Sequence, residues 1–240
     1  MPAGSYWSAT RAPRYTLIFV FPLLVAYEGL AAFGSGEEGI RNGADVLLKS
    51  LFVLLGGRHG LTAFAVALGG TGAFLVIRDL KRQGPPAGRY FAAMALESVV
   101  YAALLGGVTS LITALLLQGP SLLAAGSAGR LDLATAITVS LGAGLYEELL
   151  FRVMLVSLLA RAAVVLLRWR PVPAGAGAAG LGALVFSAFH YVGPLGDAFE
   201  VGSFVFRAVA GLLLSALYLL RGFGIAAWTH ALYDVFLALS

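Results

Sequence analysis

The stretch Leu145-Tyr-Glu-Glu-Leu-Leu-Phe-Arg152 places two carboxylates and a guanidinium inside a helix-length apolar run. Two more polar clusters follow it in apolar runs, Phe186-Ser-Ala-Phe-His190 and His230-Ala-Leu-Tyr-Asp234. Ionisable groups in the hydrocarbon of a membrane are costly, so they are rare and usually functional. Three acids, two imidazoles and one guanidinium on three successive helices are the inventory of a hydrolytic site built inside a membrane.

The composition around these clusters is typical of an integral membrane protein. Of the 240 residues, 60% are hydrophobic and only 12% are charged, against about 25% charged in an average soluble domain. The formal net charge of +4 is small, and nothing indicates a nucleic-acid partner. The chain has no cysteine, which excludes disulfides, thiolate chemistry and zinc sites with sulfur ligands.

The apolar runs predict an all-α, polytopic bundle of about seven full membrane spans, at about 20 residues for each span. The predicted spans are Tyr15–Phe33, Leu61–Ile77, Tyr90–Leu117, Leu131 to about Leu159, Ala174–Val192, Phe204–Leu220 and Phe223–Leu239. The fourth span could also run on to about Arg168 as one long helix.

Between the first two spans lies a shorter apolar run, Val46–Leu55, with Lys49 inside it. Its helix would cover only about 15 Å, half the thickness of the hydrocarbon. We therefore predict an interfacial or re-entrant segment rather than an eighth span.

The charges between the spans predict the orientation. Basic residues precede the first span and follow the second, fourth and sixth, whereas the linkers after the first and fifth spans are acidic. The acidic residues are Glu37, Glu38 and Asp45, and Asp197 and Glu200. The positive-inside rule then places the N-terminus in the cytoplasm and Ser240 outside. The many Ala, Gly, Leu and Arg residues favour a bacterial source, and hence the inner membrane.

The chain shows no internal repeat and no separate soluble domain, so we expect one membrane domain over residues 1–240. The catalytic motifs fall in residues 131–240, and residues 1–130 carry spans without a motif. Small residues spaced four apart, Ala174/Ala178/Gly182, predict close packing of the fifth span. His59 lies in a glycine-rich loop and is expected at the surface without a role.

Helical spacing separates the two carboxylates of the first cluster. Residues four apart share a face, so Glu148 and Arg152 can pair. Glu147 points about 100° away from its neighbour. One carboxylate can thus be held ionised by Arg152 while the other projects into a cavity.

The other two clusters repeat this spacing. Phe186, a supporting residue, shares a face with His190, and His230 shares a face with Asp234. Three helices can therefore direct one polar face each to a common interior point, as sites in bundle cores do. Each cluster alone has a structural explanation, such as an ion pair or an interhelical hydrogen bond, but their joint occurrence favours a functional site.

In this order the motifs Glu-Glu-x-x-x-Arg, Phe-x-x-x-His and His-x-x-x-Asn/Asp resemble those of the CAAX protease and bacteriocin-processing family, also called the Abi family. The resemblance covers roughly Gly142 to Ser240. It implies a glutamate-dependent intramembrane endopeptidase. By the family pattern, Glu147 would activate a water with His190 as its partner, and Glu148 and Arg152 would support the site.

The resemblance also implies that His230 and the residue four later bind the developing oxyanion. Position 234 is Asp, where the CAAX prenyl endopeptidases have Asn. An ionised carboxylate cannot donate a hydrogen bond, so Asp234 is either protonated or orients His230 and keeps it charged. We favour the second role, because Asp234 lies near the outer end of the last span, where water can reach it.

A zinc ion would offer a different mechanism. Glu147, His190 and His230 are suitable ligands, and a zinc-bound water would serve the same reaction. Relatives studied structurally favour a metal-free glutamate mechanism, so we expect neither zinc nor another cofactor.

The expected partner is a protein or peptide substrate embedded in or associated with the lipid bilayer. Processing of C-terminal sorting tails by transpeptidation is an alternative to hydrolysis. A transporter would also place charges in the membrane, and Glu28, Glu97 and Lys49 add ionisable groups, but transporters usually show internal repeats. A non-catalytic scaffold is the remaining alternative.

Overall fold

A computed structural model describes residues 5–33, 41–118, 132–193 and 196–240 of the chain. Within these ranges the regular structure is helical throughout. The α-helices are α1 (Tyr6–Ala9), α2 (Pro13–Phe33), α3 (Gly43–Gly56), α4 (Gly60–Gln83), α5 (Gly88–Leu117), α6 (Leu133–Gly142), α7 (Ser157–Leu166), α8 (Pro171–Phe189), α9 (Val201–Arg221) and α10 (Phe223–Leu239). A 3₁₀ turn, Gly57–His59, joins α3 to α4, and a π-helix, Ala143–Val156, joins α6 to α7.

Six helical stretches in the described ranges are long and apolar enough to cross a membrane. They are Pro13–Phe33, Gly43–Gln83, Gly88–Leu117, Leu133–Leu166, Pro171–Phe189 and Val201–Arg221. The last helix, α10, is apolar but has only 17 residues, or about 25 Å at 1.5 Å for each residue. The predicted all-α polytopic bundle is confirmed, and the protein is an integral membrane protein.

The short apolar run predicted between the first two spans is part of α3. This helix has 14 residues and is about 21 Å long, which is too short to cross the hydrocarbon alone. The 3₁₀ turn lets α3 fold onto α4, and His59 within it is exposed, as predicted. The expected acidic residues Glu37 and Glu38 lie outside the described residues.

The fourth span takes the longer of its two predicted forms. α6, the π-helix and α7 form one continuous stretch of 34 residues, Leu133–Leu166. It is capped by Asp132, whose carboxylate accepts hydrogen bonds from the hydroxyl of Thr135 at 2.5 Å and its backbone N–H at 3.1 Å. These bonds hold the pKa of Asp132 below its usual value. The predicted start of the span, Leu131, lies outside the described residues.

The C-terminal helix α10 contacts several other helices of the bundle. It packs against α2, α5, α6, α9 and the π-helix. Its small residues Ala226, Ala227 and Ala231 are fully buried. Because small side chains let membrane helices approach closely, α10 can bring His230 and Asp234 among several neighbours at once.

Close packing of the small residues on α8 is confirmed. Ala174 and Ala178 are buried. A Cβ atom added to Gly182 would lie 2.6 Å from Cγ2 of Val156 in the π-helix, closer than real Cβ contacts. This approach holds α8, and therefore His190 directly after its last residue, against the π-helix.

Glu97, one of the ionisable groups considered for a transporter, has a structural partner. Arg221 donates to its carboxylate at 2.6 and 2.8 Å, and the Tyr6 hydroxyl donates at 2.6 Å. Arg221 also donates to the backbone carbonyl of Trp7 and lies 4.1 Å from the centre of its ring. These contacts tie the N-terminal helix α1 to α5 and α9.

The natural absence of cysteine makes the predicted orientation easy to test. Gln83→Cys and Glu200→Cys place single thiols at two exposed positions on opposite sides of the predicted topology. We expect a membrane-impermeant maleimide to label the first only from the cytoplasmic side and the second only from outside, as the positive-inside rule requires. Labelling of both from the same side of intact cells would contradict the orientation.

Candidate active site

The three motifs meet at a cavity of about 290 Å³. Five of the seven residues predicted for the site line it, namely Glu147, Phe186, His190, His230 and Asp234. They come from the π-helix, from the end of α8 and from α10. Separate stretches of the sequence thus place two carboxylates and two imidazoles around one space large enough for part of a peptide.

The two remaining predicted residues, Glu148 and Arg152, are fully buried beside the cavity. Arg152 Nη1 lies 2.9 Å from Glu148 Oε1, which is the pair expected from their spacing. Arg152 Nη2 donates to the carbonyl of Gly211 at 3.3 Å. The guanidinium also lies 4.3 Å from the centre of the Phe186 ring. The cation is therefore held by α9 and α8 as well as by its own helix.

Glu148 has a second partner that sequence spacing did not reveal. His230 Nδ1 lies 2.8 Å from the same oxygen, Glu148 Oε1. A carboxylate paired with a guanidinium is an acceptor, so the ring nitrogen carries the hydrogen in this contact. Glu148 thereby couples Arg152 to His230 and fixes the orientation of the imidazole.

The tautomer of His190 follows from its own partner. Its Nδ1 lies 2.9 Å from the backbone carbonyl of Phe186, and a carbonyl can only accept, so Nδ1 donates. In the neutral ring Nε2 is then an acceptor. His190 can therefore hold an O–H group of a water or a substrate at the cavity.

Asp234 makes the weaker of the two carboxylate contacts with His230. Its Oδ2 lies 3.5 Å from His230 Nε2, and its side chain is 27% exposed. This separation is longer than a hydrogen bond of about 2.7–3.2 Å. Asp234 thus contributes charge next to His230, while Glu148 provides the close hydrogen bond.

Glu147 has a hydrogen-bond donor from the N-terminal half of the chain. Asn42 Nδ2 donates to Glu147 Oε1 at 2.8 Å, and both residues line the cavity. Arg207 of α9 also lines it and pairs with Asp197. Sequence reasoning missed Asn42 and Arg207 because neither belongs to a recognisable motif.

Two glycines allow this assembly. A Cβ atom on Gly142 would lie 2.5 Å from the Tyr27 ring and 2.7 Å from Asn42 Cβ. A Cβ atom on Gly144 would lie 2.5 Å from the carbonyl oxygen of Ala227 in α10. Because neither position has room for a side chain, α2, α3 and α10 come close to the helix that carries Glu147 and Glu148.

A second ionic group lies next to the site and fixes α3. It contains two acids and two bases, Glu28, Arg41, Asp45 and Lys49. The carboxylate of Asp45 is completely buried, and Lys49 Nζ lies 2.7 Å from it. Lys49 is also 3.1 Å from Glu28. Two of the ionisable groups that could have indicated a transporter, Glu28 and Lys49, are thus paired with each other.

The residues suited to zinc do not form a metal site in this arrangement. Among the described residues, no group of three or more His, Asp or Glu side chains is placed to hold a metal ion. The predicted zinc ligands Glu147, His190 and His230 line the same cavity.

Comparison with known families identifies the region that carries the site. Residues 129–236 match the family described as type II CAAX prenyl endopeptidase Rce1-like. The match includes all three motifs and confirms the resemblance to the CAAX protease family. This similarity to the Rce1-like family suggests a CAAX-type intramembrane endopeptidase. No curated protein and no solved structure matches the chain.

The buried ion pair generates a prediction about stability. Arg152→Ala leaves Glu148 without its cation, and breaking a buried pair from one side costs roughly 3–5 kcal/mol. Glu147→Gln keeps an oxygen that can accept from Asn42. We expect thermal unfolding in detergent to show a clearly lower Tm for Arg152→Ala than for Glu147→Gln. Equal Tm values would indicate that Arg152 serves the substrate rather than the fold.

Proposed function

We propose that the protein is an intramembrane endopeptidase that hydrolyses a peptide bond of a membrane-embedded or membrane-associated substrate, with Glu147 as the base. The observation that carries this proposal is that Glu147 and His190, both within the Rce1-like region, line one cavity. Peptide hydrolysis needs an activated water, a proton for the leaving amine and donors for the oxyanion.

The two neighbouring glutamates, Glu147 and Glu148, have different roles in this proposal. Glu148 is occupied by Arg152 and His230 on one oxygen and does not line the cavity. Glu147 has one oxygen bonded to Asn42, which leaves Oε2 for a water. Glu147 is therefore the base, and Glu148 is the residue that holds the supporting charges.

The reaction follows from these positions. A water donates one O–H to Glu147 and the other to Nε2 of neutral His190. Glu147 takes the first proton as the water oxygen forms a bond with the scissile carbonyl carbon. When the carbon–nitrogen bond breaks, Glu147 returns this proton to the leaving amine, so the base is regenerated and the products are a carboxyl group and an amine.

His230 would stabilise the oxyanion that forms in between. Its ring lies between Glu148 and Asp234, and two neighbouring carboxylates favour an imidazolium. With Nδ1–H donated to Glu148, Nε2–H is the group that can donate to the tetrahedral oxygen. Asp234 keeps this charge in place rather than donating itself.

The central test replaces Glu147, the proposed base, and measures substrate cleavage by mass spectrometry of membrane proteins. Glu147→Gln keeps the shape of the side chain and removes its basicity, so cleavage should fall by a factor of about 10² or more. Mass spectrometry of membrane proteins from cells carrying each variant should show an uncleaved substrate in Glu147→Gln. Glu200→Gln, at an exposed glutamate outside the cavity, is the matched control and should behave like the wild type.

The same experiment separates the alternatives. The mass of the new C-terminus distinguishes hydrolysis from transfer to an amine, which would indicate a transpeptidase. Full cleavage by Glu147→Gln would overturn its role as the base. Purified active protein should also keep its turnover after dialysis against a chelator; one zinc for each chain, lost and regained together with activity, would contradict the metal-free mechanism.

Asp234→Asn tests the role of the residue that departs from the prenyl endopeptidases. If the carboxylate stabilises charged His230, a neutral amide removes this stabilisation, and activity should drop across the whole pH range. We expect this result because the partly exposed Asp234 lies 3.5 Å from His230 Nε2. An Asn variant that keeps its activity and extends it to higher pH would instead identify Asp234 as a protonated donor. A pH–rate profile identical to the wild type would exclude both roles.

A further inference from the structure

We propose that Asn42, from the N-terminal half of the chain, is a positioning residue that holds the catalytic carboxylate of Glu147. This inference rests on the proposed function of Glu147. Asn42 is only 4% exposed, and its Nδ2 donates to Glu147 Oε1 at 2.8 Å. It lies outside the region that matches the Rce1-like family, residues 129–236. The site is therefore completed by a part of the chain that carries no motif of its own.

The partners of the amide fix its orientation. Asn42 Oδ1 accepts from the backbone N–H of Ala44 at 2.9 Å and so caps α3. Its Nδ2 faces the carboxylate of Glu147, which accepts. Rotating the amide by half a turn would point the nitrogen at an N–H donor and the oxygen at a carboxylate, and both contacts would be lost. The donor is therefore directed at Glu147 by the start of the helix itself.

The ionic group next to the site holds this helix start in place. The Tyr27 hydroxyl donates to Asp45 at 2.8 Å and accepts from the backbone N–H of Asn42 at 3.3 Å. Arg41 and Lys49 lie 3.0 and 2.7 Å from the same buried carboxylate of Asp45. Asn42 is thus held at its backbone N–H by Tyr27, at its side-chain oxygen by Ala44, and through α3 by the ion pairs of Asp45. These contacts can maintain a fixed position of Asn42 opposite Glu147.

This contact has two chemical consequences. Hydrogen bonds to a carboxylate favour its ionised form, and Glu147 must be ionised to act as a base. The bond also engages Oε1, so Oε2 is the oxygen that remains for the water. Asn42 thus selects both the charge state and the rotamer of Glu147 while acting only through it.

Asn42→Ser separates the two functions of the side chain. Serine is also a favoured N-cap, so α3 should still begin at the same residue and the Tm should stay within a few degrees of the wild type. The amide donor is lost, so cleavage should fall roughly 10- to 100-fold, as expected for a hydrogen bond to a charged group. The loss should be greatest at the acidic end of the pH–rate profile.

Tyr27→Phe is the matched comparison. It removes the hydroxyl that links α2 to Asp45 and to the backbone of Asn42, but it leaves the amide of Asn42 in place. We expect a lower Tm with an unchanged shape of the pH–rate profile, because the cap bond to Ala44 and the ion pairs of Asp45 still hold the amide of Asn42 opposite Glu147. If Tyr27→Phe alters the profile as Asn42→Ser does, the effect comes from loosened packing of α3 and the proposal is wrong.

An infrared measurement keeps this test independent of turnover. Subtracting the spectrum of Glu147→Gln isolates the carboxylate stretching bands of Glu147. These bands should change frequency in Asn42→Ser and stay unchanged in Tyr27→Phe. Unchanged bands together with wild-type cleavage in Asn42→Ser would overturn the positioning role. Shifted bands in a protein whose cleavage does not depend on Glu147 would leave the contact intact and refute the proposed function instead.

Discussion

The carboxylate of Glu148 and the guanidinium of Arg152 are fully buried and lie 2.9 Å apart. This ion pair is the strongest constraint on how the helices of the bundle pack. Glu148 and Arg152 lie in a membrane-spanning stretch, where an uncompensated charge is costly. Arg152 contacts the carbonyl of Gly211 on α9 and the ring of Phe186 on α8. Glu148 contacts His230 of α10. Closing the bundle around this pair therefore brings together the same helices that form the cavity.

The N-terminal half also contains a buried charge that needs partners of opposite charge. The buried carboxylate of Asp45 is balanced by Lys49 and Arg41, and the resulting group lies where α2 and α3 meet. There is no room for a side chain at Gly142, because Tyr27 of α2 and Asn42 at the start of α3 lie directly against it. The ionic contacts and the close packing act together, so Asn42 reaches Glu147 without a charge of its own.

The sequence allowed prediction of the spans, of the short α3 segment and of the three motifs, because these depend on patterns within single helices. Hydropathy identifies a helix long enough to cross a membrane, and spacing by four shows that Glu148 can pair with Arg152. The contact between Glu148 and His230 depends instead on which helices become neighbours, and no local pattern records this. Asn42 is a further example, since an N-cap residue in a short helix looks the same whether or not a carboxylate lies opposite.

The winding of the fourth span could not be predicted either. The sequence analysis assumed α-helical geometry, whereas Ala143–Val156 is a π-helix, in which hydrogen bonds join residues five apart. Such segments are rare in proteins, and those that exist are often found at functional sites. All the polar residues of the first motif lie in this segment, so its wider turns set the directions of their side chains.

The two adjacent carboxylates explain why the site needs so many supporting groups. Two negative charges on neighbouring residues in a low dielectric repel strongly, and one of them would otherwise take up a proton. Arg152 and His230 compensate the charge of Glu148, so the repulsion felt by Glu147 is reduced, and the donor on Asn42 favours its ionised form further. The base of the proposed reaction thus depends on a neighbour that does not touch the substrate and on an amide from the other half of the chain.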